Sequence, residues 1–320
     1  MSDRVRITDV SPRDGLQNEP GVIPATDKAS LVRAVVASGV DEVEVSSFVS
    51  ARWVPQLGDA EEVFGLLAAD PPHRCVFSAL VPNERGLDAA LAVNARCGRA
   101  LIGKVAVFTA ASETFSRRNT NASIAETLDR FAPVITRAHA AGVRVRGYVS
   151  CVVACPFEGP IAPDAVARVV ARLRALGVDE IDLGDTIGAG TPQTIAEVLD
   201  AVRPAWGDFV PADALAPHGA PAGAGYCTLH LHDTFGQAAA CVRAALDRGV
   251  RSFDGSVAGL GGCPYASTPH RRAPGNIDTQ VLVRTLRERG FSTDVGDAAL
   301  AHAAAVARDL VARARTETPP

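Results

Sequence analysis

A closed (β/α)8 TIM barrel carrying one additional C-terminal helix is the fold this sequence predicts. Two observations carry that reading. Eight short apolar runs alternate with longer amphipathic ones, and each run is followed by a helical stretch. The unusual polar clusters fall at the C-terminal ends of those runs, the face on which a parallel barrel gathers its functional loops. The open-sheet alternative demands a glycine-rich turn after the first strand, and Ser11-Pro12-Arg13-Asp14-Gly15 is not that fingerprint.

Taken in order, residues 5–10 read as the first strand and 25–38 as the first helix, closed by Gly39. Strand 42–46 precedes helix 59–69, strand 74–80 precedes helix 84–94, and strand 104–109 precedes a long helix over 123–141. Residues 144–150 are the fifth strand, followed by a helix over 163–176 that stops at Gly177. Strand 180–183 leads into helix 192–202, strand 226–232 into helix 237–248, and strand 252–257 into helices 278–289 and 297–315. Starts at Ser, Thr or Asp and stops at Gly recur, because those residues satisfy the free backbone groups at helix ends. The expected organisation is one catalytic barrel over 1–295, with residues 296–320 as a helix packed on it and a polar tail.

Of the 320 residues, 47% are hydrophobic, enough for a large core, and barrels reach this length as single domains. A net charge of −4 and a 5% aromatic content argue against nucleic-acid binding. Seven scattered cysteines and no basic, then apolar, opening segment point to reduced thiols in a cytoplasmic protein. No apolar run approaches the roughly 20 residues that span a bilayer.

The candidate chemistry begins at His230-Leu231-His232. Residues two apart on a strand face the same way, so both imidazoles point to one side. Asp14, at the end of the first strand, can add a carboxylate across the barrel seam, and Asn276 an amide oxygen. Two nitrogens and two oxygens without a thiolate suit a divalent metal such as Mg²⁺ or Mn²⁺ better than zinc.

Five strings carry a resemblance: Ser11-Pro-Arg-Asp-Gly-Leu-Gln-Asn-Glu19; Val43-Glu-Val-Ser-Ser-Phe-Val-Ser50 with Trp53-Val-Pro-Gln56; Gly184-Asp-Thr-Ile-Gly188; His230-Leu-His-Asp-Thr-Phe-Gly236; and Gly259-Leu-Gly-Gly-Cys-Pro-Tyr-Ala266. Together they resemble the hydroxymethylglutaryl-CoA lyases, within the wider metal-dependent lyase and synthase barrel superfamily. The resemblance implies cleavage of 3-hydroxy-3-methylglutaryl-CoA to acetoacetate and acetyl-CoA. It implies metal ligation by Asp14, His230, His232 and Asn276, and catalytic roles for Arg13, Asp185 and Cys263 with Glu44 close by. It also implies a homodimer that takes a small acyl-CoA substrate.

Simple chemistry agrees with these positions. The tertiary hydroxyl must lose a proton as the adjacent C–C bond breaks, which suits a carboxylate such as Asp185. Arg13, which stays charged, can stabilise the enolate oxygen that forms. Cys263, among glycines, can return a proton to carbon. Each has a structural rival. Arg13 could only pair with Asp14, although adjacent strand side chains diverge. Glu44 serves equally well as orienter of Arg13, and Asp185 as a helix cap. Cys263 could be an inert small residue. Gln17 and Ser47 are expected to touch substrate, and Tyr148 to wall the pocket. Arg117, Arg118 and Asn119 lie in an expected loop after the fourth strand and suit the CoA phosphates. Cys151 and Cys155 read as packing.

Three departures stand out. Residues 208–225 form an Ala/Pro/Gly-rich stretch at the bottom of the barrel. Residues 267–274, with His270, Arg271 and Arg272, lengthen the loop between Cys263 and Asn276 and could displace Asn276 or help hold CoA. Gln280 stands where an acidic residue is often found. The alternatives are a lyase for a related 3-hydroxyacyl-CoA, or an acetyl-CoA-condensing transferase of the isopropylmalate synthase type. Leu16 after Gly15, and the short stretch of chain beyond the barrel, favour the lyase.

Overall fold

The computed structural model describes residues 4–209, 226–262 and 275–316. Eight parallel strands close into a barrel: β1 (Arg6–Asp9), β2 (Glu42–Ser47), β3 (Val76–Leu80), β4 (Ile102–Ala110), β5 (Arg144–Ser150), β8 (Glu180–Asp185), β9 (Tyr226–Leu231) and β10 (Ser252–Gly255). Closure comes from β1, which pairs with β2 on one side and with β10 on the other. The eight are the strands expected from the sequence, with no end shifted by more than two residues.

Helices cover the outside: α1 (Ala25–Ala37), α2 (Ala60–Leu67), α3 (Glu84–Cys97), α5 (Ile124–Ala140), α6 (Pro163–Leu176), α7 (Pro192–Trp206), α8 (Ala238–Asp247), α9 (Thr279–Glu288) and α10 (Asp297–Thr316). Besides short helical turns, an antiparallel ribbon and one helix were not anticipated. β6 (Ala154–Cys155) and β7 (Gly159–Pro160) form an antiparallel ribbon after β5. Two-residue strands carry no periodic signal. The other is α4 (Glu113–Thr120), where the sequence suggested a loop. Ser112 caps it by accepting the Phe115 N–H, and Asn121 ends it with a φ of 51°. None of the helices among the described residues is long and apolar enough to cross a membrane.

Strand alternation sorts the side chains into two populations. Val5 and Ile7, Val43 and Val45, Val105 and Val107, and Ile181 and Leu183 are buried in the main core, against the helices. Their neighbours along each strand are polar. Arg146 on β5 donates to Thr8 on β1 at 3.0 Å and to Asp254 on β10 at 3.2 Å. Strands on opposite sides of a barrel can exchange such contacts only through its interior. The barrel is therefore filled by charge rather than by branched aliphatics.

Burying charge is costly unless partners are in place. Here they are. Lys104 Nζ lies 2.6 Å from Glu42 and 2.5 Å from Glu180. Arg146 Nη2 lies 2.8 Å from Glu180, and Arg6 reaches Glu42 at 2.5 Å. Burial still tells on the lysine, bringing its pKa down to about 8 despite those carboxylates. This packed floor leaves the site only at the C-terminal mouth.

Candidate metal centre and active site

β1 does not run straight into a loop. Ser11–Gly15 wind into one π-helical turn, anchored by Asp9. One carboxylate oxygen of Asp9 accepts the Ser11 N–H and hydroxyl at 3.0 and 2.5 Å. The other accepts the Val257 N–H at 3.1 Å and the Thr279 hydroxyl at 2.8 Å. Asp9 thus ties the end of β1, the segment after β10 and the start of α9 together. Burial raises its pKa to about 6, although all of these bonds favour the charged form.

Winding changes where side chains point. Arg13 Nη1 donates to Asp14 Oδ1 at 2.6 Å, so the pairing that strand geometry argued against is present. The alternation rule holds for strands, and these residues are not in one. Arg13 Nε donates to Glu44 Oε2 at 2.5 Å, and the guanidinium carbon stands 5.7 Å from the centre of the Tyr148 ring. Burial opposes the charge on Arg13, but Glu44 and Asp14 outweigh it and raise its pKa. Among the described residues its Nη2 has no hydrogen-bond partner. Glu44, 1% exposed, is lifted above the usual carboxylate range by burial despite Arg13. Its Oε2 accepts from Arg13, and its Oε1 is buried without a hydrogen-bond partner among the described residues.

β9 delivers His230, and His232 follows one residue beyond it in an isolated bridge with Asn276. The two Nε2 atoms face each other at 3.3 Å, and His230 Nε2 is 4.0 Å from Asp14 Oδ2. One ligand atom from each of Asp14, His230 and His232 lies within 4.8 Å of the others. His230 Nδ1 faces Asp254 Oδ2 at 3.0 Å, while His232 Nδ1 is buried without a partner among the described residues. Converging imidazole nitrogens beside a carboxylate are the donor set of a divalent cation, so these residues fit one. Asn276 meets the centre through its amide nitrogen, which donates to Asp14 Oδ2 at 2.7 Å and to the Leu260 carbonyl at 3.1 Å.

The charges follow the geometry. Burial works against ionising Asp14, yet Arg13 and the two histidines hold its pKa well below the usual range. Burial likewise opposes protonation of His230, but Asp254 and Asp14 raise its pKa overall. Burial and the neighbouring His230 bring His232 down to about 4.

The remaining expected residues divide. Gln17 reaches the centre, donating to Asp14 Oδ1 at 2.7 Å. Tyr148 is buried beneath it, its ring edge-on to His230 with centroids 6.2 Å apart. Asp185 ends β8, and both oxygens accept backbone N–H groups, from Ala189 at 3.1 Å and Gly190 at 2.7 Å. Asp185 is not the helix cap: Thr191 caps α7 by accepting the Thr194 N–H, and Asp185 instead holds the turn that precedes it. Burial nonetheless raises its pKa to about 6, with His230 close enough to pull the other way.

Ser47 spends its hydroxyl locally, donating to the Leu80 carbonyl at 3.3 Å and accepting from the Val49 N–H at 3.2 Å. Arg117, Arg118 and Asn119 are exposed on α4 rather than in a loop. Arg117 lies 4.0 Å from Glu113, Arg118 covers the Phe157 ring at 4.1 Å, and Asn119 donates to the Phe115 carbonyl. Cys151 and Cys155 are buried with Ala110 and Phe115, as packing requires. Gln280 is exposed at the start of α9, where its backbone N–H donates to Asp278. Cys263 and residues 267–274, with His270, Arg271 and Arg272, lie outside the described residues, as do residues 210–225.

Asp254 was not singled out from the sequence. The available signal was its place two residues beyond Ser252 on an alternating strand, which puts both on one face.

A family model described as HMGL-like matches residues 4–307. The chain belongs to the HMGL-like family. Among HMGL-like relatives, the hydroxymethylglutaryl-CoA lyase of Pseudomonas mevalonii is 45% identical over 291 residues, covering 91% of this chain and 87% of its own. The 3-hydroxy-3-isohexenylglutaryl-CoA/hydroxymethylglutaryl-CoA lyase of Pseudomonas aeruginosa is 43% identical over 303 residues, covering 95% and 91%. A solved HMG-CoA lyase from Acinetobacter baumannii, in complex with coenzyme A and 3-methylmalate, superposes with a TM-score of 0.81 at 30% identity, covering 100% of this chain and 98% of that one.

Proposed function

We propose that this chain is a metal-dependent carbon–carbon lyase that cleaves 3-hydroxy-3-methylglutaryl-CoA to acetoacetate and acetyl-CoA. The observation that carries it is the convergence of Asp14, His230 and His232 beside the Arg13–Glu44 pair at the barrel mouth. Asn276 and the three clustered residues would hold a divalent ion, Mg²⁺ or Mn²⁺. Once bound, that ion would supply Lewis acidity, lowering the pKa of a coordinated hydroxyl.

The chain's own residues account for the rest. Asp185, with a pKa near 6, is ionised at neutral pH and can take the tertiary hydroxyl proton directly or through a water or histidine relay. As the bond to the adjacent carbon breaks, negative charge gathers on the thioester oxygen. Arg13 is fixed by Glu44 through Nε and by Asp14 through Nη1, which leaves Nη2 to donate to that oxygen. Cys263 is our candidate for protonating the enolate carbon. Gln17 and Tyr148 shape the acyl end, while Arg117, Arg118 and Asn119 are candidates for the CoA phosphates. We place the enzyme in the cytoplasm on its thiol content, and read it as a homodimer on its resemblance to the lyase family.

The test is a coupled assay for acetoacetate from hydroxymethylglutaryl-CoA, with and without Mg²⁺. Product that depends on the metal is expected; a folded protein giving none in either condition would overturn the reading. A second reading has one specific support, the Pseudomonas aeruginosa relative named for a larger 3-hydroxy acyl group. Faster cleavage of such a thioester in the same assay would favour it.

A further inference from the structure

The metal reading does not explain why Asp254 is buried beneath His230, nor why Arg146 is held against it. Asp254 is 2% exposed and sits on β10. Its Oδ2 lies 3.0 Å from His230 Nδ1, and the Tyr148 hydroxyl donates to that same oxygen at 3.4 Å. Its Oδ1 accepts from Arg146 Nη1 at 3.2 Å. Arg146 is itself locked by Thr8 at 3.0 Å and Glu180 at 2.8 Å.

We propose that Asp254 is a positioning residue that fixes the tautomer of His230, holding the proton on Nδ1 so that the Nε2 lone pair faces Asp14 and His232. The chemistry is one of donors and acceptors. A carboxylate only accepts, so the ring nitrogen facing it must donate. The neutral imidazole has a single N–H, which leaves Nε2 bare at the point where Asp14 and His232 converge. A second partner fixing the tautomer and ring orientation is what a histidine ligand requires to present its lone pair. Arg146, whose Nη1 also faces Asp182 Oδ2 at 3.3 Å and donates to the Tyr148 hydroxyl at 3.2 Å, favours an oxygen of residue 254 on its side. A guanidinium has five donors and no acceptor, so whatever faces Nη1 must be an oxygen.

That constraint predicts what Asp254→Asn does. Arg146 keeps the amide oxygen, so the amide NH₂ turns towards His230 Nδ1. Nδ1 must then accept, and the proton moves to Nε2, into the metal site. Shape and volume barely change, so a purely structural role for Asp254 would leave the tautomer alone.

The inference rests on the metal reading for its consequence, but the tautomer can be measured without metal. Long-range ¹H–¹⁵N correlation spectra of metal-free enzyme at about pH 9, where an imidazole is neutral, report which ring nitrogen carries the proton. We expect Nδ1–H for His230 in the wild type and Nε2–H in Asp254→Asn. Mn²⁺ titrated into the same two proteins, followed by electron paramagnetic resonance, is expected to bind the variant about 10- to 100-fold more weakly. A wild type with the proton on Nε2 overturns the proposal. So does a folded variant that keeps Nδ1–H and binds Mn²⁺ as the wild type does. A wild type that shows Nδ1–H but binds no Mn²⁺ upholds the tautomer and refutes only the metal reading. If the variant does not fold, the wild-type spectrum alone decides.

Discussion

Asp185 shows how one side chain carries two roles without conflict. Its oxygens stabilise the turn into α7, and the burial that comes with this lifts its pKa to about 6. A raised pKa makes the carboxylate a better base while leaving most of it ionised at neutral pH. The base form exists above about pH 6 and is lost as pH falls through that value. With saturating Mg²⁺, log kcat/KM is therefore expected to fall with a slope of one below about pH 6 and to level off above it. Rate profiles of the wild type and of Asp185→Asn check this, since the variant should lose the limb together with most of the rate. A wild-type limb unmoved from the ordinary carboxylate range would remove Asp185 as the base. The sequence made Asp185, Arg13 and the two histidines legible, because chemically costly residues stood at strand ends. It could not show that Arg13 touches Asp14, because that contact depends on a local π-helical turn which breaks the strand rule. Nor could it decide Glu44, whose role rests on which atom of Arg13 it meets.

At the scale of elements, the centre depends on two segments that pass almost without clearance. Gly261 has a φ of +97°, and a Cβ built there would lie 2.7 Å from Asn276 Nδ2 and 3.4 Å from Asp14 Oδ2. A side chain at that position would be strained and would press on the amide that meets Asp14. Gly261→Ala is thus expected to raise the Mn²⁺ dissociation constant about tenfold, an effect like that of disturbing a ligand's supporting contact. Calorimetric titration checks it, and an unchanged constant would show that Asn276 is not held by this segment. Which partner the glycine-rich stretch around 259–262 approaches could not be read from the sequence. The strands and long helices were legible from their periodicity. α4 was not: it has eight residues, only Phe115 and Ser116 buried, and its arginines suggested a loop. The same exposure changes the functional picture, since Arg117 and Arg118 present charge from a capped helix next to the β6–β7 ribbon.

Across the whole molecule, closure of the barrel was legible because eight strand–helix repeats leave little else that buries both faces. Its polar filling was not. One strand's alternation shows that a face is polar, but the partners of Arg146 come from four other strands, β1, β2, β8 and β10. This floor couples fold to function, because the Arg146–Asp254 contact leads directly to His230. An ion held by Asp14, in the turn after β1, and by His230 and His232, at the end of β9, would bridge two parts of the barrel mouth and should stabilise the folded state alone. At an Mn²⁺ concentration about 100 times its dissociation constant, the unfolding free energy is expected to rise by about 2.7 kcal/mol. Urea titrations with and without the ion check this, and the gain should vanish in Asp14→Asn. An equal gain in that variant would mean that the ion binds elsewhere.

Anomalous diffraction from crystals soaked in Mn²⁺ tests the centre most directly. The structure predicts a single strong peak at the barrel mouth, about 2.1–2.3 Å from an oxygen of Asp14 and from Nε2 of both His230 and His232. No peak at that point, or a peak bound to other residues while the two imidazoles keep facing each other, would contradict it.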